Sequence, residues 1–152
     1  FPNKSLFGSD FVQSSVDLIN EISHSKDINL KGDFFDLINP NYEYKIKKNS
    51  GIFTFGALEQ LAGKIDEILE YLIVQKPKIC VHIEPIIELY DENNLIDYLA
   101  IKFQSKRGYT DGLLSKLYNL KNNKKIEILK VKRLFFGSLL MEGYNLVAWR
   151  PL

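Results

Sequence analysis

Two hydrophobic periods alternate along the chain. Residues 5–11, Ser-Leu-Phe-Gly-Ser-Asp-Phe, form a short apolar run that ends at a polar residue and predict a strand. Ser14 or Ser15 is placed to cap a following helix, with Asp17 in its first turn and Val16, Ile19 and Ile22 on one face. Residues 28–34 repeat the strand pattern and again run into an aspartate, Asp33. Residues 39–49 are polar, contain Pro40, Tyr42 and Tyr44, and read as a loop. A third strand is expected at residues 51–55, then a helical turn at 57–61. Ile65, Ile68, Leu69 and Leu72 mark an amphipathic helix that Pro77 must end. Residues 78–83 are almost continuously apolar, the pattern of a buried parallel strand.

Two more helical patterns follow, one carrying Leu95, Tyr98, Leu99 and Phe103, the other Leu113, Leu114, Leu117 and Leu120. Residues 125–136 and 144–149 are then two extended runs. The connection between them, around Gly137 to Gly143, is too short for a crossover helix, so an antiparallel hairpin is expected. Strand–helix alternation closed in this way predicts an α/β fold, with a mostly parallel sheet flanked by helices and a C-terminal antiparallel β-hairpin.

The 152 residues suit one compact domain, and no internal repeat or second domain is apparent. A hydrophobic share of 45% is enough for a core. A net charge of +1 gives no electrostatic reason to expect nucleic acid or an anionic membrane. The single cysteine, Cys80, lies in an apolar run and reads as a buried thiol of a cytoplasmic protein. No apolar run approaches the roughly 20 residues of a membrane helix, and no signal peptide is visible. Two distant histidines and one cysteine make no metal-ligand cluster.

Several of these strand ends resemble class I S-adenosylmethionine-dependent methyltransferases, a Rossmann-like sandwich. Residues 6–11 resemble that family's second strand, and Gly32-Asp33-Phe34 the end of its third. Ala57-Leu58-Glu59-Gln60-Leu61 is similar to the segment after its fourth strand, His82-Ile83-Glu84-Pro85 to the end of its fifth, and residues 143–151 to its last strand. The resemblance therefore runs from the second strand to the C-terminus. The family's first strand and its Gly-x-Gly loop have no counterpart here. They would lie before Phe1, which is not a methionine, so truncation or processing is expected.

The resemblance implies S-adenosylmethionine as cofactor, held by Asp10 at the ribose hydroxyls with Phe11 also in contact, and by Asp33 and Phe34 around the adenine. It implies methyl transfer to a small-molecule acceptor, such as a sugar or secondary metabolite, with Glu59, Glu84 and His82 as the groups able to take an acceptor proton. Open α/β sheets bind ligands at the carboxyl ends of their strands, where these carboxylates fall. Each has a plainer reading: Asp10 and Asp33 as cap or turn residues, Glu84 as a satisfied carboxylate at a strand end, Glu59 on the exposed face of a turn, His82 in the core. Lys106-Arg107-Gly108-Tyr109 can meet an anionic group or form a solvated turn. The lysines among residues 121–133 read as an edge-strand face rather than an RNA surface. An alternative is a non-catalytic fragment or interaction module that keeps the fold, with oligomerisation through the incomplete sheet.

Overall fold

The computed structural model describes residues 4–109, 112–137 and 142–152. The chain divides into two compact units, Phe1–Asn41 and Tyr42–Leu152.

The first unit holds β1 (Leu6–Asp10), α1 (Gln13–Lys26) and β2 (Leu30–Phe34). The strands are parallel neighbours, pairing Gly8 with Gly32 and Asp10 with Phe34. Closeness requires glycine at residue 32 and makes residue 8 tight. A Cβ on Gly32 would stand 2.7 Å from the Val16 carbonyl of α1, and one on Gly8 3.0 Å from Ile19 Cδ1. Asn20 of α1 accepts from the Gly32 N–H at 2.8 Å, tying helix to strand. The helix starts one residue before the expected serine caps. Its N-cap is Val12, and the Val12 N–H is taken by Asp10 Oδ1 at 2.8 Å. Val12 has no side-chain acceptor, so the helix starts without the side-chain cap that Ser14 or Ser15 was expected to give.

The second unit holds β3 (Gly51–Phe55), a 3-10 turn at Leu58–Leu61, α2 (Asp66–Gln75), β4 (Ile79–Glu84), a 3-10 turn at Ile87–Leu89, α3 (Leu95–Arg107), α4 (Leu113–Asn122), β5 (Ile126–Gly137) and β6 (Glu142–Pro151). Its sheet has the order β3-β4-β6-β5. The β3–β4 pair is parallel; β4–β6 and β5–β6 are antiparallel. The expectation of a mostly parallel sheet is therefore corrected to a mixed one, because β6 inserts between β4 and β5 and runs against both. Residues 138–141, where the hairpin turn was expected, lie outside the described residues.

The core of this unit is built from Ile65, Ile68, Leu69 and Leu72 around α2, Leu113 and Leu117 of α4, and Ile126, Val147 and Trp149 of the sheet. As its apolar run predicts, β4 is deeply placed, with Cys80, His82 and Glu84 fully buried on one face and Ile79, Val81 and Ile83 half-buried on the other. Burial pushes the Cys80 thiol up to about 12, so it stays protonated. α2 ends at Gln75, with Lys76 in the left-handed region (φ 51°) before Pro77. α3 departs from the simple amphipathic pattern. It buries Asp97, Ala100 and Gln104 and exposes Leu95, Tyr98, Leu99 and Phe103. Asp97 and Gln104 each meet a polar partner. Asp97 takes a bidentate pair from Arg133 of β5, with Nη1 at 2.8 Å, and Gln104 donates to the Tyr90 hydroxyl at 3.2 Å. Among the described residues no helix is long and apolar enough to cross a membrane.

Candidate functional site

Each unit presents a group of expected site residues at the carboxyl ends of its parallel strands. In the second unit, β3 ends at Phe55 and the chain turns on Gly56 (φ 59°), whose N–H donates to the Ile83 carbonyl at 3.0 Å. The turn that follows is held from below by Glu84, the last residue of β4. Glu84 Oε1 accepts from Thr54 Oγ1 at 2.7 Å and from the Ala57 N–H at 3.2 Å, and its Oε2 accepts from the Glu59 N–H at 3.3 Å. A carboxylate so placed supplies the partners that the first N–H groups of a helical turn lack. Glu84 is wholly buried, and burial raises its pKa against the lowering effect of these donors.

His82 lies two residues earlier on the same face, also fully buried. Its Nδ1 is 2.9 Å from Thr54 Oγ1. While the Thr54 hydroxyl donates to Glu84, that contact requires a proton on Nδ1. His82 Nε2 then carries a lone pair with no hydrogen-bond partner among the described residues, close to the Trp149 ring (centroids 6.1 Å apart). Burial pushes the imidazole down to about 4, so the ring is neutral at physiological pH.

Glu59 differs from both. It sits on the turn that Glu84 holds, is half-buried, and its carboxylate accepts no hydrogen bond among the described residues. Burial and the nearby Glu84 raise its pKa, and Arg107 opposes them. Gly56 lies beneath it. From the point where a Cβ of residue 56 would stand, Glu59 Oε1 is 3.7 Å away and the Tyr144 hydroxyl 3.3 Å. The Tyr144 ring rests on Phe55, with centroids 4.6 Å apart. Its phenol is pushed up by burial and then by Glu59, Glu84 and Tyr109. Arg107, at the end of α3, lies over the rings of Phe103 and Tyr109.

In the first unit, Asp10 and Phe34 are register partners, and Asp33 pairs with Ser9 one step back. Side chains alternate across a sheet, so Asp10 and Asp33 leave opposite faces. Asp10 Oδ1 is occupied by the Val12 N–H, while its Oδ2 has no partner among the described residues. Asp33 is paired with Lys31, at 2.7 and 3.0 Å. Phe11 and Phe34 are 65% and 57% exposed, which leaves both rings open to contact.

The structure thus brings Glu59, Glu84 and His82 into one cluster and Asp10, Phe11, Asp33 and Phe34 to one strand-end pair. Three members of the first cluster were not singled out from sequence: Thr54, Gly56 and Tyr144. A glycine directly after an apolar strand is the one local signal of them.

No known sequence family matches the chain, and no curated protein sequence does. Solved structures do. The chain is similar to the Pyrococcus abyssi tRNA (uracil-54, C5)-methyltransferase in complex with S-adenosyl-L-homocysteine, at a TM-score of 0.56 and 10% identity, over 97% of this chain and 29% of that one. It is similar to the N,N-8-amino-8-demethyl-D-riboflavin dimethyltransferase of Streptomyces davawensis, at 0.55 and 10%, over 97% and 42%. It is also similar to LepI in complex with S-adenosylmethionine, at 0.60 and 10%, over 99% and 37%. The chain spans less than half the length of these three structures. Likeness at such identity is likeness of fold, and the fold is that of the class I S-adenosylmethionine-dependent methyltransferases.

Proposed function

We propose that the protein transfers a methyl group from S-adenosylmethionine to a small-molecule acceptor, such as a sugar or secondary metabolite. The observation that carries this reading is the Glu59 carboxylate, without a hydrogen bond among the described residues, half-buried, raised in pKa, and fixed on a turn that Glu84 clamps at a strand end. Structural neighbours that are methyltransferases, or that hold the cofactor or its demethylated form, support the choice of S-adenosylmethionine. When bound, that cofactor supplies an activated methyl group on a good leaving group.

The groups of the first unit suit its nucleoside. Asp10 Oδ2 has its accepting capacity open for a ribose hydroxyl, and a hydrogen bond to a carboxylate is of the stronger kind. Phe11 and Phe34 offer exposed apolar faces for the base. Asp33 accepts from the adenine amino group only in competition with Lys31. On the acceptor side, Glu59 takes the acceptor's proton where the nucleophile must lose one. Glu84 and His82 act one step removed: Glu84 positions the turn, and His82 orients Thr54, which binds Glu84. The near-balanced charge of the chain favours a small molecule over nucleic acid.

Calorimetric titration with S-adenosylhomocysteine tests the cofactor half. Binding is expected, weakened about tenfold or more by Asp10→Asn, the loss of one charge-assisted hydrogen bond. Absence of heat in the unaltered protein counts against the reading. For the acceptor half, Glu59→Gln should lower kcat by about a hundredfold while leaving cofactor affinity intact. Unchanged turnover would remove Glu59 from the reaction.

A further inference from the structure

The outer face of α3 is apolar. Leu95, Ile96 and Leu99 are 71%, 52% and 50% exposed, and Tyr98 and Phe103 are exposed beside them. At 100° per residue these five fall on one side of the helix, opposite the buried Asp97, Ala100 and Gln104. A helix on the surface of a globular protein turns polar residues outward, so a continuous outward stripe of large apolar side chains marks a contact surface.

The charges around the stripe say what fits it. Glu92 lies in the turn before the helix, while Lys102 and Lys106 lie in its second half. The stripe is therefore acidic at one end and basic at the other. An antiparallel copy related by a two-fold axis at Leu99 sets the acidic end of each stripe against the basic end of the other. Leu95 falls opposite Phe103, each four residues from Leu99. The turn that carries Glu92 falls toward the end of the second copy that carries Lys106. Lys102 already lies along this face, with its Nζ 5.2 Å from the centre of the Tyr98 ring. Antiparallel helices also oppose their dipoles favourably. A different partner would have to bring its own matching order of charge and bulk, whereas a second copy of this chain has it. We propose that the protein self-associates through α3 as an isologous, antiparallel pair centred on Leu99.

Sedimentation velocity over a concentration series tests this. The unaltered chain should show a concentration-dependent dimer, and Leu99→Glu should be monomeric over the same range. Leu99 is exposed, so its replacement should leave the circular dichroism melt in place. Glu92→Lys and Lys106→Glu should each weaken the dimer about three- to tenfold, since each reversal acts twice across the axis. The double reversal should restore it. A chain that stays monomeric throughout would overturn the proposal, as would a dimer untouched by Leu99→Glu. A double reversal weaker than either single one would overturn the two-fold register.

Discussion

Thr54 donates a 2.7 Å hydrogen bond to Glu84 across two parallel strands, and through that contact a buried carboxylate fixes the turn that carries Glu59. Glu84→Ala would leave the Thr54 hydroxyl and the N–H groups of Ala57 and Glu59 without acceptors, at about 1–3 kcal/mol for each group that stays buried. Urea denaturation should show a loss of about 3 kcal/mol or more. Thr54→Val should cost about 1–2 kcal/mol and Thr54→Ser much less, because serine keeps the donor. In the double variant the two losses should be far from additive. Additive losses would mean that the bond does not couple them.

His82 predicts a pH dependence of definite sign. Its imidazole titrates at about 4 in the folded chain, below its ordinary 6.5, because burial penalises the cation. The unfolded chain therefore binds the extra proton first as pH falls. The contribution of His82 to stability is complete above pH 6.5, declines between 6.5 and 4, and by pH 4 has lost on the order of 3 kcal/mol. Glu84 works in the other direction. Its folded pKa is raised above 4.5, so its contribution is greatest at low pH and falls as pH rises through 4.5 toward the folded value. Histidine-selective nuclear magnetic resonance isolates the first effect, since the His82 ring should stay neutral and Nδ1-protonated down to about pH 5. A midpoint near 6.5 would contradict its burial.

Gly32→Ala and Gly8→Ala should differ. The new methyl at residue 32 meets the backbone carbonyl of Val16 at 2.7 Å, which only a shift of α1 can relieve. At residue 8 it meets the tip of Ile19 at 3.0 Å, where a rotamer change suffices. Thermal unfolding should show a cost of about 1–3 kcal/mol for Gly32→Ala, the usual range for overpacking, and distinctly less for Gly8→Ala.

The Asp97–Arg133 pair is unequal. Asp97 is buried, while Arg133 keeps part of its side chain in water and lies over the rings of Tyr90 and Phe135. Arg133→Ala strands a buried carboxylate and should cost about 3 kcal/mol; Asp97→Ala leaves a guanidinium that reaches solvent and should cost less. Denaturation midpoints of the two variants decide the order. Because Arg133 also holds the Asp97 carboxyl below the usual carboxylate range, the pair's contribution should fade as pH drops through that lowered value.

What was legible in the sequence was whatever depends on neighbours along the chain. Residues 78–83 announced a buried strand, Pro77 the end of α2, and Asp10, Asp33 and Glu84 the strand ends on which they stand. What was not legible depends on pairing at a distance. Thr54 meets Glu84 and His82 only because Gly51 aligns with Ile79 in the β3–β4 register, and Tyr144 reaches Gly56 only because β6 lies beside β4. The mixed sheet was hidden for the same reason, since nothing local in residues 142–151 says which strands they will separate. The stripe of α3 was visible as a helix, yet its outward direction was not. The side that faces inward is polar, and its fitness for the core rests on partners, Arg133 and Tyr90, from elsewhere in the chain.

The first unit has two strands and one helix, and a two-stranded sheet has little stability of its own. Its amide protons should therefore exchange with solvent sooner than those of β4 and β6, which have strands on both sides. A ligand held by Asp10 and Asp33 would act where opening is easiest. Slower exchange confined to β1 and β2 would be its most sensitive record, appearing at concentrations too low to move the unfolding of the rest of the chain.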